Sequence, residues 1–465
     1  MRRPTSEVPG RRIMKSTHLL LVLTTLAFAL PIRSPAQLAS ADGTQVPILT
    51  LDEAVSLALA NNRLVKNSSL EAEKYDFRVS TIRSRRLPHF QFSTLGGELL
   101  QPFDFTFPPG VFGTYPGIGP VPSTTAKVHT PAQLATFTTA GLDEPLTQQY
   151  KIHLAIRATE LGRDVAREDV RAERQKIANE VRTAYFEIIA TQAAVDAVSD
   201  SVKTLQEARG LTAPYRVEKT VLQSDVLEVD ARLAKARYEL CTAEDGLTTR
   251  REHLNQLLGR DITTQFRVDP MPDHDQTDLT LEAARHQASQ NRPEIRQAQL
   301  KEKQAEYDRR LAKAEYIPDL GLAVQYLGIN NVQMLPSNVA VAGFLLTWEP
   351  FDWGRRHNAV AERTRTKQQA SNGIRETEAQ IAVEVGMKYR KWKDAALLLK
   401  AARIGHEAAA EQFRVTSTKY GEQAALLKDV LQAQAHSSEA DYQYQQALSS
   451  YWIALADLRR SMGEE

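Results

Sequence analysis

The chain has 465 residues, 42% of them hydrophobic and 25% charged, with 58 Lys+Arg against 57 Asp+Glu. A formal charge of +1 supplies no overall field to draw nucleic acid or an acidic substrate, and no nucleic-acid partner is expected. Cys241 is the only cysteine, which excludes an internal disulfide and suits an exported chain whose thiols are kept few. In a helix it reads as a small apolar filler.

At the start, Arg11, Arg12 and Lys15 precede an apolar core from Leu19 to Leu30, and Ser34-Pro35-Ala36 follows. Residues 1–36 are expected to be a secretory signal, with Met14 as the start and cleavage near Ala36. No cysteine stands at that point, which argues against a lipid anchor. The apolar core is too short for a comfortable span. No other run of 18 or more apolar residues follows, so no transmembrane helix is expected.

The rest is written twice. Leu49-Thr50-Leu51-Asp52-Glu53-Ala54 and Asn61-Asn62-Arg63 recur as Leu279-Thr280-Leu281-Glu282-Ala283-Ala284 and Asn291-Arg292-Pro293, an offset of 230 residues that holds to Leu87-Pro88 against Ile317-Pro318. Ile177-Ala178-Asn179-Glu180-Val181 answers Ile381-Ala382-Val383-Glu384-Val385 at an offset of 204, which persists to Gly259 against Gly463. The 26-residue difference falls after Leu100 in the first copy. The expected division is a first repeat over 37–278 and a second over 279–465.

Residues 51–86 read as a helix broken at Leu87-Pro88, because proline biases its predecessor out of the helical region. His89-Phe90-Gln91-Phe92-Ser93 then alternates polar and apolar, as a two-sided strand requires. Strands are expected at about 88–100 and 134–146, and again at about 318–328 and 339–348, each near the ten residues a tilted barrel strand needs. Between the first two, 101–133 holds Pro102, Pro108-Pro109-Gly110, Pro116-Gly117 and Pro120 and reads as an irregular surface loop.

Helical hairpins are expected over about 152–258 and 354–462. Residues 152–212 contain no proline, and a helix of that length reaches roughly 90 Å at 1.5 Å per residue. Ile177, Val181, Ala184, Ile188, Val195, Val198, Val202 and Leu205 keep an alternating four-three spacing. Leu222, Val226, Val229, Leu233, Ala236 and Leu240 keep it beyond a break near Pro214-Tyr215. Narrow seams with charge on both sides suit the wall of a water-filled tube better than a solid bundle. A mean hydropathy of −0.39 is compatible with a membrane protein if only four short strands meet lipid. Four cannot close a barrel, since eight is about the minimum, so several chains must contribute.

The Leu-Thr-Leu-x-x-Ala openings, the prolines before strands, Pro350-Phe351-Asp352-Trp353-Gly354-Arg355-Arg356, the Asp-Val-Leu segments and Leu257-Leu258-Gly259 together resemble the TolC-type outer-membrane efflux protein family. The resemblance implies a mainly α fold with transmembrane β, in which long helical hairpins of an internally duplicated chain form a homotrimer. Its twelve strands would make one barrel in outer-membrane lipid, joined to a periplasmic tunnel of twelve helices. It implies a passive export channel coupled to a periplasmic adaptor (membrane fusion protein) and an inner-membrane transporter, with no cofactor. In such proteins acids near the Asp-Val-Leu segment ring the tunnel entrance. Asp429 matches the first acid position while the second is Gln432, and the first copy has Asp225 and Glu228. An acid there also serves the first turn of its own helix. Tyr420 matches a tyrosine before the tip turn and is the gate candidate. The expected glycine is displaced to Gly421, and Tyr215-Arg216-Val217-Glu218-Lys219 has none, which leaves the docking adaptor open.

Trp348, Phe351 and Trp353 cluster where strand becomes helix, as an interfacial girdle or as junction packing. Asp352 reads as a helix N-cap. Asp273-His274-Asp275 has no matching ligand pair elsewhere, so no metal site is expected. No catalytic motif appears, and the chain is not expected to be an enzyme. The alternative from another class is a periplasmic coiled-coil adaptor or scaffold that never enters the membrane.

Overall fold

The computed structural model describes residues 47–215, 223–270, 279–332, 335–422 and 424–465. The expected signal segment, Asp273-His274-Asp275 and 216–222 lie outside the described residues. The first copy runs β1 (Ile48–Leu49), α1 (Leu51–Asn61), α2 (Arg63–Ser84), β2 (His89–Glu98), β3 (Phe103–Phe107), β4 (Thr114–Tyr115), β5 (Gly119–Pro120), β6 (Ala126–Thr130), β7 (Leu134–Pro145), α3 (Gln148–Tyr215) and α4 (Gln223–Leu257). After β8 (Arg267–Val268) the second copy runs α5 (Leu281–Asn291), α6 (Pro293–Ala314), β9 (Asp319–Asn330), β10 (Asn338–Thr347), α7 (Arg355–Gly421) and α8 (Leu427–Ser461).

Residues 51–86 are two helices, not the one expected. Asn62 is extended between them. Its Oδ1 accepts the N–H groups of Leu64 at 2.8 Å and Val65 at 3.4 Å, and its Nδ2 donates to the Leu257 carbonyl at 2.9 Å. An asparagine that caps one helix competes with continuation of the one before it. The second copy breaks at the equivalent Arg292, which donates to Glu294, Glu384 and the Ser461 carbonyl. Pro293 then opens α6, where a missing N–H costs nothing.

The two copies close by the same devices. The Tyr185 hydroxyl donates to the Leu49 carbonyl at 2.9 Å, and Tyr389 to that of Leu279 at 3.0 Å. Gly259 and Gly463 follow the ends of α4 and α8 at φ +69° and +89°, against Asn61 and Asn291. Ile177, Val181, Leu254 and Leu258 centre one core, and Ile381, Val385, Leu455 and Leu458 centre the other. Trp452 packs on both and stacks on Phe186 with ring centroids 5.9 Å apart. Nearby, Asp457 accepts from Asn179 at 2.9 Å and Lys388 at 2.7 Å. Burial raises its carboxyl, but these donors outweigh that and hold it below the ordinary carboxylate range.

The helices reach the expected scale. Helix α3, at 68 residues, spans roughly 100 Å. Its seam is broader than a narrow stripe at one level, since Tyr185, Phe186 and Ile189 are buried beside Ile188. There α3 meets α1, α4 and α8 together, so three neighbours need a wider face. Toward the tip Val195, Val202 and Leu205 are the buried residues among those described, and the seam is narrow. Cys241 is exposed, so it is a surface residue and not a packing filler.

Candidate functional site

Strands β10, β9, β7 and β2 form one antiparallel sheet in that order, with a strand of each copy in the middle and a strand of each copy at an edge. The register pairs Asp143 with His89, Asp143 with Ala323, and Ala323 with Gly343. Odd-numbered residues of all four strands therefore share one face and even-numbered residues the other. Near the helices the even face carries Phe90, Phe92, Leu142, Val324, Phe344 and Leu346, all strongly exposed. Trp348 to Ala340 extends that apolar strip over about 27 Å at 3.4 Å per residue, close to the ~25 Å apolar band of a membrane barrel. On the odd face the same level carries His89, Gln91, Asp143 and Gln325, with Val341 and Leu345 of β10 as apolar exceptions.

No helix of the described residues is long and apolar enough to cross a membrane. The sheet supplies the apolar surface instead. Trp348, Phe351 and Trp353 are 60%, 84% and 101% exposed, so packing at the junction does not account for them. Asp352 caps α7 from two residues before Gly354, accepting the N–H groups of Gly354 at 3.1 Å and Arg356 at 3.0 Å. Those bonds, that of Arg356 foremost, hold its carboxyl below the usual range.

Residues 101–133 are not an irregular loop. β3 pairs with β6 and β4 with β5, Asp104 and His129 meet at 2.5 Å across the ribbon, and Phe107 packs on Phe112 with centroids 5.2 Å apart. Apart from Gly119 and Pro120, which form β5, its prolines and glycines sit between the strands, which is why the composition resembled a loop.

At the other end of the helices, Tyr420 and Asp429 flank one short turn. Tyr420 stands in the last turn of α7, partly exposed. Asp429 is the third residue of α8, and its Oδ2 accepts the Leu426 N–H at 3.1 Å. The helix-start role of that acid is thus present in the geometry. Gln432 is exposed one turn on. Glu228 pairs with Arg232 of its own helix at 2.5 Å, and Asp225 lies in the first turn of α4, its side chain outside the description. Sequence reasoning missed Arg209, whose Nε meets Asp230 Oδ1 at 2.6 Å and ties α3 to α4 near their tip. Nothing in its spacing marks a pair separated by a turn. Among the described residues no group of three or more metal-ligating side chains converges.

An amphipathic four-stranded sheet with open edges, set on duplicated helical hairpins, is the architecture of a membrane-channel chain. The model of the outer membrane efflux protein family matches residues 54–260 and 284–464, and the chain belongs to that family. Its fold is that of solved outer-membrane channels. A membrane protein from Pseudomonas aeruginosa is 18% identical at TM-score 0.72, covering 90% of this chain and 91% of that one. The CmeC outer membrane channel of Campylobacter jejuni is 16% identical at TM-score 0.72, with 89% and 85% covered. The MtrE outer membrane channel of Neisseria gonorrhoeae, solved in an open state, is 17% identical at TM-score 0.68, with 89% of each covered. By sequence, no curated protein matches. The family is one of outer-membrane conduits, and the alternative of an adaptor that never enters the membrane falls with that match.

Proposed function

We propose that three copies of this chain close a twelve-stranded barrel in the outer membrane, continued by a twelve-helix tunnel in the periplasm, as a passive export conduit. One observation carries the reading: the second copy lacks neighbours that the first copy has. Helix α3 packs on α2 and α4 of its own copy and on α6 and α8 of the other, whereas α7 packs substantially only on α5, α6 and α8. Likewise β7 pairs with β9, while the equivalent β10 and β2 are sheet edges. Asn179 on α3 is buried beside Asp457, yet its counterpart Val383 on α7 is 68% exposed. Leu397, Leu398 and Ile404 are exposed on the same helix.

Applying the repeat once more supplies everything missing. A second copy would lay its α2 and α4 on α7 and its β2 on β10, and a third would close the ring. Open edges and exposed apolar helix faces are otherwise liabilities. In this assembly the even face meets lipid and the odd face lines water. The apolar strip next to the helices supports a tunnel that continues into the periplasm rather than outside the cell.

The narrow end is the tip, where Tyr420 is the gate candidate, and Asp225, Glu228, Asp429 and Gln432 are the constriction candidates. Three Asp429 carboxylates gathered by threefold symmetry would favour cations. A periplasmic adaptor and an inner-membrane transporter are the expected partners. Energy for transport would come from the inner-membrane transporter. Purified protein in planar bilayers is expected to form a cation-preferring pore blocked by multivalent cations, with block weakened in Asp429→Ala or Asp225→Ala. Unchanged selectivity and block in both variants would remove the acid ring and leave the conduit standing.

A further inference from the structure

The two faces of the sheet exchange polarity along the strands. Beyond the apolar strip the even face turns hydrophilic: Thr94 bonds Thr138 at 3.1 Å, Asn330 donates to Thr136 at 3.1 Å, and Tyr326 donates to Asn338 at 2.5 Å. The odd face does the reverse. Past Ser93 and Thr139, whose hydroxyls meet at 2.7 Å, it carries Leu95, Leu99, Phe137, Leu327 and Ile329. Ala135, Ile329 and Val332 form a buried cluster with Leu99, Phe137 and Leu327 against it, and Ala135 is 1% exposed.

A wall that only faces water has no reason to collect such side chains. Here they are also held in place. Leu99 N–H donates to the Gln133 carbonyl at 3.0 Å, Gln133 Nε2 to that of Asn331 at 2.9 Å, and Asn331 Nδ2 to that of Leu134 at 2.8 Å. The far ends of β2, β7 and β9 are thereby tied into one knot on the inner face.

We propose that this knot is an apolar collar inside the outer mouth of the conduit, a second constriction that slows bulky hydrophilic solutes entering from outside. It rests on the trimeric-barrel reading. Twelve strands 4.8 Å apart and tilted near 40° give a backbone diameter of about 24 Å. Inward Leu, Phe and Ile side chains from every copy remove about 5 Å from each side, and an apolar lining adds a penalty for hydrated groups.

The test uses full-length protein in intact cells, with Cys241→Ser as background. Gln91→Cys places a thiol on the inner face below the collar, and Phe92→Cys places one on the lipid face. A compact charged methanethiosulfonate should label Gln91→Cys from outside, while a methanethiosulfonate carrying a short poly(ethylene glycol) should label it about tenfold more slowly. Adding Phe137→Ser and Leu327→Ser should recover most of that factor. Gly97→Leu, where an added Cβ meets nothing within 4 Å, should narrow the mouth without removing any packing and slow even the compact reagent. Heat-modifiable trimer bands check that each variant assembles. Equal rates for both reagents in the parent protein, or rates indifferent to Gly97→Leu, would overturn the collar and leave the barrel. Phe92→Cys reactive with Gln91→Cys unreachable would overturn the barrel orientation and the collar with it.

Discussion

Gly259→Ala and Gly463→Ala are each expected to destabilise the protein by about 2–4 kcal/mol, the sum of left-handed backbone strain and overpacking. An added Cβ would lie 2.6 Å from the Asn61 carbonyl oxygen at the first site and 2.8 Å from Asn291 backbone carbon at the second. Both contacts are with backbone, so no side chain can swing away. Each glycine ends a helix and lets the chain pass beneath the joint between two short helices, which fixes where the long hairpin meets the rest of its copy. Thermal dissociation of the assembled protein checks this, with Gly210→Ala as the contrast. Gly210 is inside α3 with nothing within 4 Å of an added Cβ, and alanine there should be neutral or stabilising by up to about 1 kcal/mol. Gly259→Ala as stable as the parent protein would contradict the joint.

Phe344→Lys should abolish assembly in the outer membrane. A lysine on the lipid face near the bilayer midplane costs about 2–4 kcal/mol, and a threefold assembly would incur that three times. Phe344 is 74% exposed in the middle of β10, with no protein around it to shelter a charge. Gln91→Lys on the opposite face should be tolerated, because it enters water. Outer-membrane fractionation and heat-modifiable gels distinguish the two, and equal recovery would mean that the even face does not meet lipid.

Much of this fold was legible because the chain states it twice. Pro88 and Pro318 mark the same strand starts, and Gly259 and Gly463 the same closures. What the repeat left hidden depends on side-chain partners far away in sequence. Asn62 breaks its helix by accepting the Leu64 N–H and donating to the carbonyl of Leu257, 195 residues on. The width of the seam near Ile188 follows from three helices converging on α3. Residues 101–133 misled because turn residues dominate a stretch whose pairing is set by Phe103 to Phe107 against Ala126 to Thr130. The polarity exchange was present in the alternation, but only the register shows that Phe137 and Ile329 are partners. The tip acids were legible as residues. Their gathering is not, because it needs other copies.

The joint between copies is the decisive contact, and the repeat gives its register. Within the chain Gly141 stands opposite Gln325. Carried forward by the two offsets, that pair becomes Leu345 of one copy opposite Leu95 of the next. Leu95→Cys with Leu345→Cys, in a Cys241→Ser background, should oxidise in native membranes to covalent dimers and trimers, whereas either cysteine alone should stay monomeric on denaturing gels. A protein that remains monomeric with both cysteines present, and with the pair moved to neighbouring registers of the same two strands, would contradict three copies sharing one sheet.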